Sequence, residues 1–197
     1  DTIIVGRLAD SLSAEFQVLR APTLEYGVNV ETEKRFAGNA SFRKKTLPRG
    51  LNDLLATWET TGIREFILLT AHGEEAHQDA LSTVVTKGAR VRVVDILSIR
   101  LDDVVELAHG PLHGDEVDTS LLLFLAPELV RMELAQDFTI APDALRRFRR
   151  TSFRVPRAST GSLGRPSRAS AAKGAAIYAR VREKIRERTF LAPPKED

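Results

Sequence analysis

The chain has 197 residues, 43% of them hydrophobic and 28% charged, with 29 basic side chains against 27 acidic ones. That composition and length suit a soluble globular domain with one sizeable core, and no apolar run is long enough to span a bilayer. The absence of cysteine excludes disulfides and thiolate metal sites; with no visible secretion leader, the expectation is a cytoplasmic protein without a membrane partner.

Along Ile3 to Phe16, Ile4, Leu8, Leu12 and Phe16 recur every four residues, which predicts a helix with Asp1 as its N-cap. Phe16 to Ala21 reads as a short strand ended by Pro22. Thr23 to Ser41 is rich in turn formers and has no period, and an aperiodic loop of that length is usually functional. Leu47 to Thr61 predicts a second helix, with Leu51, Leu54, Leu55 and Trp58 on one face and Gly62 as its stop. Ile63 to Thr70 is a continuous apolar run of the kind found in a central strand covered on both faces. A helix over Glu75 to Lys87 follows, then a strand over Ala89 to Ile96 and a short helix over Leu101 to Ala108. Asp115 to Phe124 and Ser170 to Arg188 complete the predicted helices, and the tail from Pro193 is expected to fray. Alternating strands and helices imply an α/β fold with a mostly parallel sheet and helices on both faces.

Charge is unevenly spread. Arg146 to Arg188 holds fourteen Lys or Arg and two acids, Glu183 and Glu187. Such a segment can meet nucleic acid, but no interleaved aromatics or nucleic-acid motif accompany it, so a solvated basic face balanced by the acidic body is the simpler reading.

Two polar clusters could do chemistry. The first, His72-Gly73-Glu74-Glu75-Ala76-His77, directly follows the best strand, where open α/β sheets place their ligands. Imidazole and carboxylate are the donors expected in a chain without cysteine, and they suit Zn, Mn or Fe. By themselves these residues fit helix capping by Glu74 and Glu75 at least as well as metal binding. Glu75 and His77 read as first-turn helix residues facing solvent or a neighbouring loop. The second cluster runs from His109 to Ser120. Its acids, Asp115, Glu116 and Asp118, suit a helix dipole, whereas His113, flanked by glycine, is a candidate general acid or base.

Five blocks then resemble the creatininase family, in family order. Ala21 to Glu31, "APTLEYGVNVE", is similar to its A-P-x-x-Y-G-x-S-x-E-H, and Arg35 to Ser41, "RFAGNAS", to its F-P-G-T-x-S. Arg64 to Glu74, "REFILLTAHGE", resembles its strand and N-G-H motif, followed in creatininase by a glutamate two residues beyond the histidine. His113 to Glu133 resembles H-A-G-x-x-E-T-S-x-x-L-x-x-x-P-x-x-V-x-M, and Gly161 to Gly174 the family's G-x-x-G-D-P-x-x-A-T-x-x-K-G. The resemblance implies a three-layer α/β/α sandwich forming a single domain over residues 1–188, with a flexible tail at 189–197. It implies an amidohydrolase: a hydroxide held between two divalent cations attacks an amide-type carbonyl in a cyclic amide, a formamide or a peptide-like substrate. Carried over position by position, Asp1 would bridge the two metals while His72 and Glu74 each ligate one. His113 would hand a proton to the departing nitrogen, with Asn29 and Gly73 contacting the substrate. Family members carry E-x-H-G and then L-P-x-G-T-D before a helix like this one. Asp1 matches the final Asp, so the resemblance places the remaining Glu and His ligands upstream of the chain as given. It also implies a homo-oligomer, often a hexamer.

Departures from the pattern are as plain. Thr32 stands for the family His, Ala37 for Pro, Thr70-Ala71 for Asn-Gly, and Asp118 for Glu. Trp58 is the chain's one tryptophan and lies in a predicted helix, which argues against creatinine itself as substrate. Worn motifs of this kind also suit a different class of protein, a creatininase-like binding or scaffold subunit without catalysis.

Overall fold

A computed structural model describes residues 1–29, 36–105, 112–140 and 156–191. In chain order its elements are α1 (Thr2–Phe16), α2 (Thr46–Thr60), β1 (Glu65–Thr70), α3 (Glu75–Ser82), β2 (Arg90–Asp95), α4 (Glu116–Leu125) and α5 (Ala171–Ile185), with short 3-10 turns between them. Among the described residues β1 and β2 form a two-stranded parallel sheet, with Glu65 opposite Arg90 and Thr70 opposite Asp95. A parallel pair needs a covered crossover, and α3 supplies it. No helix among the described residues is long and apolar enough to cross a membrane. Contacts gather into two compact units, one of residues 24–95 with 140–161, the other of residues 1–23, 96–139 and 162–197.

In the sheet-bearing unit, α2 places Leu55 against Phe66 of β1 and Val84, with Trp58 tilted over the Phe66 ring at 6.4 Å. A second cluster joins Val28, Leu47, Ala80 and Leu81, so α3 closes over the start of α2 and the irregular segment before it. The helix expected over Glu75 to Lys87 stops at Ser82. The reason lies in α2. Asn52 Oδ1 accepts the Val85 N–H at 3.0 Å, and the Glu59 carboxylate accepts those of Lys87 at 3.0 Å and Ala89 at 2.8 Å. These backbone bonds, that of Lys87 foremost, hold the Glu59 pKa below its ordinary value.

In the second unit, α5 lies on α4 at backbone contact. A Cβ on Gly174 would stand 1.9 Å from the Ser120 carbonyl oxygen, so only glycine fits there. Ser170 caps α5 by accepting the Lys173 N–H at 3.2 Å, and the Lys173 ammonium reaches buried Glu116 at 2.6 Å. α1 buries Ile4, Leu8 and Leu12. It meets α5 through Arg182, which reaches Ser11 and Glu15, and through the Tyr178 hydroxyl, which donates to the Arg7 carbonyl at 3.0 Å.

Three local expectations are corrected. The strand foreseen at Phe16 to Ala21 is absent: Gln17 turns into the left-handed region (φ 53°) and the Val18 N–H bonds back to Ser13. Phe16 itself stacks on Phe190 at 4.2 Å. α5 ends at Ile185 and loosens into a π-helical turn over Arg186–Phe190 rather than reaching Arg188 as regular helix. Leu101 to Val105 forms a turn, while 106–108, His109 and the expected tail from Pro193 lie outside the described residues. Among the described residues of the basic segment, Arg180 pairs with Asp103, Arg182 and Arg186 with Glu15, and Lys184 with Glu187.

Candidate active site at the carboxyl end of β1

β1 ends at Thr70, and the next four residues carry no regular structure before α3 starts. His72 is half-buried there, Gly73 is exposed, and Glu74 is 5% exposed at the N-cap position of α3. Its side chain makes no capping bond, so capping does not account for this buried carboxylate. Glu75 faces solvent as expected.

His77 does not face solvent. It is 7% exposed, on the face of α3 that also buries Ala80 and Leu81, and it packs against the loop residues Gly27 and Val28. The Val28 N–H donates to His77 Nδ1 at 3.2 Å, so the neutral ring carries its proton on Nε2, 3.2 Å from Thr70 Oγ1. That hydroxyl oxygen also accepts the His72 N–H at 3.1 Å. His72 Nε2 in turn lies 3.0 Å from the Val28 carbonyl, which can only accept, so its proton sits on Nε2 and Nδ1 is the lone-pair nitrogen. The two rings meet edge to face at 4.9 Å, and Gln78 Nε2 donates to the His72 carbonyl at 2.7 Å. Burial, with the His72 charge second, brings the His77 pKa down to about 4.

Gly27 permits this closeness. A Cβ there would lie 3.0 Å from His77 Nδ1 and 3.4 Å from His72 Cδ2. One residue past the clamp, Asn29 is tied by its N–H to Ser41 Oγ at 2.9 Å and by its side-chain nitrogen to Asn39 and Ala40. The structure therefore brings His72, Gly73, Glu74 and the Asn29 loop into one neighbourhood. Thr70, His77 and Ser41 complete it, and sequence reasoning missed them. A signal for His77 existed: with Ala80, Leu81 and Val84 it sits at i, i+3, i+4 and i+7, the apolar face of the helix expected over Glu75 to Lys87.

Asp1 and His113 belong to the other unit. Asp1 is exposed at the N-cap of α1 and makes no side-chain capping bond there. His113 is exposed on a tight turn held by two carboxylates. Asp115 accepts the Leu112 N–H at 2.6 Å and, as the cap of α4, the Val117 N–H at 2.8 Å, while Asp118 accepts that of Gly114 at 2.9 Å. Burial, reinforced by Asp118, pushes the Asp115 pKa up to about 7. Among the described residues no three His, Asp or Glu side chains gather as a group that could hold a metal ion.

The model of the creatininase family, creatinine amidohydrolase, matches residues 1–189. The chain belongs to the creatininase family. Its curated relatives include the mycofactocin precursor peptide peptidase of Mycobacterium tuberculosis, 28% identical over 193 residues, which cover 93% of this chain and 70% of that protein. Another is the 3-dehydro-scyllo-inosose hydrolase of Thermotoga maritima, 27% identical over 150 residues, 70% of this chain; the match spans 47% of the length of that protein. A crystal structure of creatinine amidohydrolase superposes with a TM-score of 0.75 at 19% identity, over 97% of this chain and 82% of its own. A manganese form of creatininase (TM-score 0.70, 21% identity, 92% and 80% covered) and a Zn–Zn form of a mutant (0.69, 20%, 95% and 82%) superpose similarly. At these identities the likeness is one of fold, and the creatininase α/β fold is what it establishes.

Proposed function

We propose that this amidohydrolase-family protein is a metal-dependent hydrolase of an amide-type C–N bond, in a cyclic amide, a formamide or a peptide-like substrate. One observation carries the reading: a buried Glu74 carboxylate, not used as a helix cap, two residues from His72 at the carboxyl end of a parallel strand. The donor types fit a divalent cation, Zn, Mn or Fe, and superposable creatininases hold manganese or zinc. In this reading His72, through Nδ1, and Glu74 would hold the metal, and the family resemblance assigns Asp1 as a further carboxylate. A bound divalent ion would polarise the scissile carbonyl and acidify a water.

The chain's own groups do the rest. His113, exposed on its carboxylate-held turn, would deliver a proton to the leaving nitrogen. The Asn29 side-chain nitrogen is committed to Asn39 and Ala40, so substrate donors would meet its Oδ1. Exposed Gly73 would let substrate approach the backbone. Trp58 packs on Phe66 in the core, which supports a substrate other than creatinine. The relatives' activities, one on an inosose and one on a precursor peptide, keep both ring and peptide substrates in view.

Metal analysis of the full-length protein beside His72→Ala tests the reading. Bound zinc or manganese in the parent and several-fold less in the variant is the expected result. Equal, near-zero metal in both would sink it and favour the alternative, a binding or scaffold subunit, which the replacement of Asn-Gly by Thr70-Ala71 supports.

A further inference from the structure

We propose that His77 is a positioning residue that locks the Gly27–Asn29 segment onto His72, and that this lock sets both the His72 ring for its metal and the place of Asn29. The proposal deepens the reading of the site given above and rests on it.

Val28 offers one donor and one acceptor on its backbone, and the two histidines take one each: its N–H goes to His77 Nδ1 at 3.2 Å, its carbonyl to His72 Nε2 at 3.0 Å. Thr70 Oγ1 joins the same two residues from the strand side, through the His72 N–H at 3.1 Å and His77 Nε2 at 3.2 Å. Val28 and Thr70 thus bracket the histidine pair, and every bond is directional. A histidine that binds metal through one nitrogen is normally oriented by a carbonyl or carboxylate on the other, and loss of that orienting group costs about 10–100-fold in metal affinity. Here the orienting carbonyl belongs to a loop residue, and the amide of that same residue is held by His77. Take away His77 and the segment is held on its other side alone, by the Asn29 N–H on Ser41 Oγ and the Phe42 N–H on the Gly27 carbonyl, so the Val28 carbonyl is less firmly aimed although His72 itself is untouched. The loop approaches closely enough to do this because residue 27 is glycine, whose missing Cβ would otherwise press on the His77 ring at 3.0–3.1 Å.

A histidine merely filling space would need neither bond. It would also tolerate a smaller polar side chain without consequence for a neighbouring ring. The lock predicts the opposite, and it predicts a specific rescue: asparagine can place its Oδ1 where Nδ1 stands and still accept the Val28 N–H.

The experiment compares the full-length protein with His77→Ala, His77→Asn and Gly27→Ala. Amide hydrogen exchange at Val28 is read first, followed by zinc and manganese affinity measured by competition with a chromophoric chelator. The lock predicts at least tenfold faster exchange at Val28 in His77→Ala and Gly27→Ala, a 10–100-fold loss of metal affinity in both, and recovery of most of each in His77→Asn. Gly27→Ala disturbs the lock from the loop side, which keeps the test open if His77→Ala fails to fold. Unchanged Val28 exchange, or faster exchange with metal affinity intact, would overturn the proposal. Absence of metal from the parent protein would refute the metal reading instead, and the exchange data would then decide on loop docking alone.

Discussion

Thr70 closes the strand and begins the site. Its hydroxyl oxygen lies between the His72 amide and the His77 ring, two donors that are buried or nearly so. Thr70→Val keeps shape and strand propensity but removes the only acceptor drawn on by both. An unsatisfied buried donor costs about 1–3 kcal/mol, so Thr70→Val is expected to lower stability by roughly 2 kcal/mol in urea denaturation. Thr70→Ser, which keeps the oxygen, should lose less than half of that. The same residues show how far side-chain roles can be read from a string of letters. The position of His72 and Glu74 at a strand's carboxyl end was legible because both directly follow an apolar run. For His77 the sequence leaves two settings open at the first turn of the helix, solvent or a neighbouring loop, and the structure has the second. What buries it is Val28, 49 residues upstream, and no local pattern announces that contact.

Elements were legible where one periodic face decides them. α1, α2, α4 and α5 stand within a few residues of the expected bounds because their leucines and isoleucines recur at helical spacing and their neighbours bury that face. Failures came where distant side chains intervene. α3 is shorter than its pattern because Asn52 and Glu59 of α2 claim the amides that would have extended it. The strand expected after α1 gave way to a left-handed turn at Gln17 that returns backbone bonds to the helix. Contact between α4 and α5 offers the sharpest test at this scale. Gly174→Ala would set a Cβ 1.9 Å from a backbone oxygen that cannot rotate aside, so the helices must part. Overpacking of this kind costs about 3 kcal/mol, and thermal unfolding should show it as a clear fall in Tm. Replacing the adjacent Ala175 with glycine offers no such clash and serves as the control for helix propensity.

At the scale of the whole molecule, two buried groups pull stability in opposite directions as pH changes. His77 titrates near 4 in the folded state, against an ordinary value of 6.5. Between those values the unfolded chain binds the proton that the folded one refuses, so stability is lost as pH falls through this window. Asp115 titrates near 7, against an ordinary value of 3.8. Between those values the folded state keeps a proton that the unfolded chain releases, so stability falls as pH rises. For a cooperative transition the two slopes oppose one another between about pH 4 and 6.5. The expected outcome is a parent protein with a nearly flat Tm from these groups over that range. Asp115→Asn should restore a Tm that rises with pH there, while His77→Asn should leave one that falls. Curves of the same slope in both variants would contradict this balance.

The Glu59 carboxylate carries a consequence for how this family member can change. Its two oxygens grip Lys87 and Ala89 from a helix some thirty residues earlier, immediately before Arg90 starts the parallel ladder with Glu65. The irregular stretch from Thr83 to Ala89 therefore acts as a ruler. Several of its residues are exposed and none belongs to the candidate site, which makes it look like spare surface open to insertion. Yet one added or deleted residue would unseat the grip and slide β2 against β1, turning side chains meant for the core toward water. Length, far more than composition, is what selection would have to guard in that stretch, and it would guard it on behalf of the strand end that carries His72 and Glu74.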